Sequence, residues 1–289
     1  MKLIHFLILF MLTMLQANAQ KSTYQLFDKS GKTVSYNQML ERMSDADVVL
    51  FGELHNNPIC HWLQLQAVKD IYYIKEDKLV LGAEMFETDQ QLVVNEYLKG
   101  LINESHFKSA IKLWTNYSTD YAPLLTFSKE NQLEFIATNI PRRYAAIVAR
   151  KGFDGLNQLE PAAAKYFPPM PIDFQSSLSG YRDMLTMLEG HHGDMIPQNV
   201  VKAQAIKDAT MAFFINKNYK FGETFLHFNG TYHSNNFEGI YWYLKRLNKQ
   251  LDIVTIATVE QDEIQVLNST HSGKADFIIC IPVDMTKTH

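Results

Sequence analysis

In Val48-Val49-Leu50-Phe51-Gly52-Glu53-Leu54-His55-Asn56-Asn57-Pro58 an apolar, strand-like run, Val48–Glu53, stops abruptly on polar residues. A run with no charge before Glu53 suits a strand covered on both faces. Pro58 has no N–H to leave unpaired, so it fits the first turn of a helix reaching about Ile74, with Asn56 or Asn57 as the cap. The stretch reads as strand, loop and helix, the opening of a crossover unit in a parallel sheet.

Five more runs have the same apolar character: Leu79–Met85, Leu133–Asn139, Thr224–Asn229, Ile253–Val259 and Phe277–Pro282. Helical spacing fills most of the gaps. Pro197 opens a helix to about Asn216, and Phe237, Ile240, Tyr241, Leu244 and Leu247 form one helical stripe. Two or three helices fit between the second and third runs. The span between the third and fourth runs is too long for a bare loop, and residues 154–196 read as a helical insertion over the carboxyl ends of the strands. Val259 and Ile264 flank Glu260-Gln261-Asp262-Glu263, which suggests a turn and an antiparallel edge hairpin near the C-terminus. The expected fold class is α/β, a mostly parallel sheet flanked by helices, in one domain over residues 20–289.

The first twenty residues, MKLIHFLILFMLTMLQANAQ, place Lys2 before an apolar centre and Ala17-Asn18-Ala19 after it. That is the form of a secretory signal peptide, residues 1–19, cleaved after Ala19. The apolar part is short of the about 20 residues that span a bilayer, and no cysteine follows it for a lipid anchor. The expected location is therefore exported, either periplasmic or outer-membrane-associated. The chain has 27 Lys and Arg against 31 Asp and Glu. Losing Lys2 makes the balance more acidic, which argues against a nucleic-acid partner. Cys60 and Cys280 are expected as two buried free thiols.

Polar residues gather where the apolar runs end. Glu53, His55 and His61 follow the first, Glu84 and Glu87 close the second, Arg142 and Arg143 follow the third, and His233 follows the fourth. In an open parallel sheet these ends share one side, where ligand crevices form. A lone strand-end His is more often a hydrogen-bonded structural residue, and Glu84 alone could favour a helix N-terminus. Four separate strands ending this way point to a site. Glu53, His55, Glu84 and His233 are candidate ligands for a divalent metal such as Mn, Co or Zn. With Arg142 steadying negative charge they would form the catalytic set of a metal-dependent hydrolase. A binding module with a decayed site is a third reading.

The segment Val49–Pro58 with His61, then Glu84-Met85-Phe86, Asn139–Arg142 and Gly230–His233, resembles the ChaN-like haem-binding family. That family belongs to a superfamily with Tiki-type metalloproteases and erythromycin esterases. Lys202–Ala212 is similar to the family's long helix before the fourth strand. The resemblance implies an iron-regulated exported protein of haem acquisition, a homodimer serving an outer-membrane haem uptake system. It implies paired, face-to-face haems between two subunits, a tyrosine on each iron, and basic or His side chains from the partner on the propionates. Tyrosinate is a sensible ferric-haem ligand. Tyr181 ranks first for that role, with Tyr166 beside it in the insertion and Tyr144 near the Arg pair as alternatives. His191 and His192, flanked by Gly190 and Gly193, are candidates for the propionates.

Overall fold

The computed structural model describes residues 22–188 and 196–289. Its centre is a seven-stranded sheet: β1 (Gln25–Asp28), β2 (Val48–Glu53), β3 (Leu79–Glu87), β4 (Phe135–Asn139), β5 (Thr224–Gly230), β6 (Ile253–Gln261) and β7 (Phe277–Pro282). They lie in the order β1-β7-β6-β2-β5-β3-β4. All neighbours are parallel except β1 and β7. The expected α/β class holds.

Strand side chains alternate between faces, and the core divides accordingly. Val49 and Phe51 enter one apolar cluster, while Val48 and Leu50 enter the other. Helices α1 (Tyr36–Asp45), α2 (Pro58–Lys75), α3 (Gln91–Leu98), α4 (Glu104–Ala110) and α5 (Ala122–Glu130) surround the first cluster. Next in the chain come α6 (Arg142–Lys151), α7 (Ser179–Leu188), α8 (Pro197–Asn218) and α9 (Ile240–Leu247). Helices α8 and α9 pack on the second cluster. Each buried Val, Leu, Ile or Phe is worth roughly 1.5–3 kcal/mol, so β2, buried at every position, is pinned from both sides. The start of α2 follows the sequence reading. The Asn57 side chain accepts from the Ile59 and Cys60 amides, and Pro58 takes the first turn.

The C-terminal hairpin does not form. Strand β6 continues through Gln261, and β7 returns parallel to it, from Ile256 opposite Phe277 to Gln261 opposite Pro282. The intervening residues are enough for the dozen or so that a parallel return needs. The antiparallel edge is instead made by the N-terminal strand, with Gln25 opposite Cys280. The insertion contains two short turns, Phe153–Gln158 and Pro161–Tyr166, followed by α7. Its apolar residues Leu156, Ala163 and Phe167 pack against Ala145 and Val148 of α6 and Ile206 of α8. Cys60 and Cys280 are buried free thiols, raised to about 12 and about 11 by burial. Among the described residues no helix is long and apolar enough to cross a membrane.

Candidate functional site

Because β2, β5 and β3 are consecutive in the sheet, Glu53, Gly230 and Glu84 end side by side. Their carboxyl ends floor a cavity of about 940 Å3 whose lining includes His55, Arg142 and His233. Clefts of that order bury a drug-sized ligand. The five candidates Glu53, His55, Glu84, Arg142 and His233 thus share one hollow.

Two imidazole–carboxylate groups stand in it. On the β2 side, the buried Glu53 receives three donors. His55 Nδ1 lies 2.8 Å from Oε1, the Tyr121 hydroxyl donates to Oε1 at 2.7 Å, and Gln64 Nε2 donates to Oε2 at 2.6 Å. Tyr121 closes a π-helical turn, Tyr117–Tyr121, the kind of irregularity that re-aims side chains at functional sites. The His55 side chain is 41% exposed, its ring set edge-on to Trp114 at 4.8 Å. Burial works against a charged His55, but its bond to Glu53 and the Glu53 and Glu84 charges outweigh that and raise its pKa. A Cβ on Gly230 would come within 2.8 Å of His55 Nε2, so glycine is what lets this ring lie over the end of β5. Below it, Asn116 Nδ2 and His61 Nε2 both donate to the His55 carbonyl, at 2.7 and 3.1 Å.

The second group is sealed. His233, with 7% of its side chain exposed, has Nε2 3.1 Å from Glu84 Oε1 and Nδ1 on Asp208 Oδ1. Burial disfavours its charge, yet the two carboxylates prevail and raise it to about 10. Burial also opposes ionised Glu84, but His233, His55 and the Gly230 amide at 2.8 Å hold it far below the usual carboxylate range. Burial raises Asp208 against the pull of His233, so the two carboxylates of this group are shifted in opposite directions. Nearby on β5, His227 is fully buried and lowered to about 4 by burial. Its ring is paired with Thr138 and Asn229.

Asp208 and its neighbour Gln204, both on α8, were not singled out in the sequence. No local signal marked Asp208, which follows Lys207 in a helical stretch of mixed polarity and could equally lie on a solvated face. Trp114, Asn116 and Tyr121 were missed too, since they lie between predicted elements.

None of the three candidate tyrosines is among the residues lining the cavity. Tyr181 is buried, 3% exposed, and its hydroxyl donates to Asp208 Oδ2 at 2.7 Å. Burial and the Asp208 charge push it far above the usual phenol range, so this hydroxyl is engaged with the sealed group. Tyr144 packs edge-on to Phe167 under the Arg143 guanidinium, 4.4 Å from the ring. Tyr166 lies beneath the Lys165 ammonium. Neither lines the cavity. Tyr232 does, with its hydroxyl donating to the Gly180 carbonyl. His191 and His192 lie outside the described residues.

For a divalent metal the donors are already spent. Both Glu53 oxygens and both Glu84 oxygens hold protein hydrogen bonds. Among the described residues no three His, Cys, Asp or Glu side chains converge to hold a metal ion, so the Glu53, His55, Glu84 and His233 metal set finds no support. The chemistry of the cavity wall does fit a flat, anionic, largely apolar group. Trp114, Ile140 and Met184 give it apolar surface, and Arg142, Lys112 and Lys207 bring positive charge. Arg142 is tied to Glu87, whereas half-buried Lys207 makes no ion pair among the described residues.

This is the architecture of an α/β ligand-binding protein with its pocket at the strand carboxyl ends. The chain belongs to the family described as haem-binding uptake, Tiki superfamily, ChaN, whose model matches residues 39–244. Among solved structures it is similar to that titled cofacial heme binding to ChaN of Campylobacter jejuni, with a TM-score of 0.68 and 16% identity, over 89% of this chain and 96% of that one. It is also similar to an erythromycin esterase mutant, EreC in its open conformation, with a TM-score of 0.50 and 11% identity, over 93% and 99%. At such identities the likeness is one of fold. Among curated proteins it is similar to RETICULATA-RELATED 5, chloroplastic, of Arabidopsis thaliana, 26% identical over 183 residues. That match takes in 60% of this chain but only a quarter of the relative's length.

Proposed function

We propose that the protein binds haem in the carboxyl-end cavity, as an exported homodimer that handles haem iron for an uptake system. The supporting observation is an imidazole held by a carboxylate and open to an apolar, cation-rimmed cavity, in a chain of the haem-binding uptake family. His55 would hold the iron: Glu53 occupies Nδ1, the arrangement that orients metal-binding histidines and raises their basicity. Arg142, Lys112 and Lys207 would take the two propionates. Bound haem would supply its iron as the cargo, and the chain's own residues would orient it and keep water from one face. The Campylobacter structure is described as showing cofacial heme binding, and an open cavity would suit a second copy of this chain closing over the ligand. In this reading Tyr181 anchors α7, and Tyr232 is the tyrosine that faces the ligand.

Titration of the purified protein with hemin tests this. The expected result is a saturable Soret change with a shift from monomer to dimer in sedimentation, both weakened in His55→Ala. A spectrum that only tracks free hemin would remove the haem reading. N-terminal sequencing of protein from the cell envelope should begin at Gln20 if the leader is cleaved there.

One observation favours a second reading. His55, held at Nδ1 by Glu53, is also oriented as a general base would be. Hydrolysis of an ester panel, abolished in His55→Ala and unaffected by chelators, would support an esterase acting without a metal; an inactive wild-type protein across the panel would count against it.

A further inference from the structure

After β7 the chain folds back over the carboxyl ends of the strands. Met285 packs on the main core cluster, and Lys287 and Thr288 then make polar contacts to the Asn56–Asn57 loop and to carboxylates that support it. The Thr288 amide donates to the Asn56 carbonyl at 2.9 Å. The Thr288 hydroxyl donates to Asp120 Oδ2 at 2.8 Å. Lys287 pairs with Glu260, whose Oε1 also accepts from Asn57 Nδ2 at 3.1 Å. His289 follows at the lining of the cavity.

Asp120 connects these contacts to the site. It is buried, and its Oδ2 also accepts from Asn116 Nδ2 at 2.7 Å, the same amide nitrogen that donates to the His55 carbonyl at 2.7 Å. His61 Nε2 lies 3.5 Å from that oxygen and donates to the same carbonyl. A buried carboxylate needs its donors, and a hydrogen bond to a charged group is worth more than a neutral one. Thr288 supplies such a donor from a segment beyond residues 39–244, the part matched by the family.

We infer that the strap Met285–His289 is a positioning element of the site: Thr288, acting through Asp120 and Asn116, fixes the His55–Asn57 loop so that the His55 ring faces the cavity. Thr288 is not among the residues lining the cavity. It sets the backbone on which His55 is carried, while Glu53 sets the ring.

The test compares Thr288→Val, which keeps the shape and removes the donor, with Thr288→Ser, which restores it, on protein shown by thermal melting to be folded. NMR of the ligand-free protein reads the His55 ring resonances directly. Thr288→Val should displace them, and Thr288→Ser should return them to the wild-type position. Hemin titration, which rests on the haem reading, should show affinity reduced about tenfold in Thr288→Val and recovered in Thr288→Ser. If hemin fails to bind the wild-type protein, the haem reading falls and the NMR comparison still decides the strap. His55 resonances unmoved in folded Thr288→Val would overturn the inference, as would a Thr288→Ser variant no better than Thr288→Val.

Discussion

His55 and His233 share one cavity, and their surroundings assign them different work. His233 is sealed between two carboxylates and has no free ring nitrogen. His55 has one carboxylate behind it and a side chain 41% exposed toward the cavity. A buried ion cluster gives a wall its shape, whereas a half-open imidazole gives it reactivity. Chemistry between ligand and protein is therefore expected at the β2 end, and rigidity at the β3–β5 end.

Breaking the sealed group should have the largest effect. His233→Ala leaves Glu84 and Asp208 buried without their cation, which costs about 3–5 kcal/mol and is measurable by denaturant unfolding. The pH dependence should carry the same mark. A histidine raised in the folded state contributes fully below its ordinary 6.5 and loses that contribution as pH climbs toward about 10. Glu84, lowered in the folded state, contributes above its ordinary 4.5 and loses that as pH falls further. Melting temperature should thus decline from about pH 6.5 toward 10, and His233→Ala should flatten that alkaline limb.

The open group should answer in binding, with little change in stability. His55→Ala leaves Glu53 its Tyr121 and Gln64 donors. A half-exposed pair is worth roughly 1 kcal/mol or less, yet hemin affinity should fall at least about tenfold, a loss of about 1.4 kcal/mol in binding. Gly230→Ala, whose methyl group would displace the His55 ring, should lower the affinity in the same direction. Tyr181→Phe sharpens the contrast further. It removes one donor from Asp208, about 1.5 kcal/mol of stability, and should leave the hemin spectrum unchanged; a lost or altered spectrum would restore Tyr181 as the iron's ligand. The smallest effect belongs to Arg142→Ala, a few-fold weakening of hemin binding that shrinks as salt rises.

Much of this was legible in the sequence because burial on both faces leaves an unbroken apolar run. Val48–Glu53 and Phe277–Pro282 coincide with β2 and β7 to the residue. Strand β1, Gln25–Asp28, has two polar residues in four and exists through its pairing with a strand some 250 residues away, which local pattern does not reveal. The hairpin expected at Glu260–Glu263 failed for a similar reason, since a polar tetrad marks the end of a strand equally well before a crossover. In the site, residues at strand ends could be read because the sheet brings such ends together. Asp208, Tyr121 and Thr288 could not, because each reaches the site from a helix, a π-turn or the terminal strap through tertiary packing alone.

A crystal structure of the protein grown with hemin, with the iron located by its anomalous signal, decides between the two histidines. Iron is expected in the carboxyl-end cavity, within bonding distance of His55 Nε2. A second hollow, of about 820 Å3, lies at the opposite end of β4, between Gln91, Lys129 and Phe135. Iron found there, or in the main cavity but bonded to Tyr181 with α7 displaced, would contradict the division of labour between the two histidines.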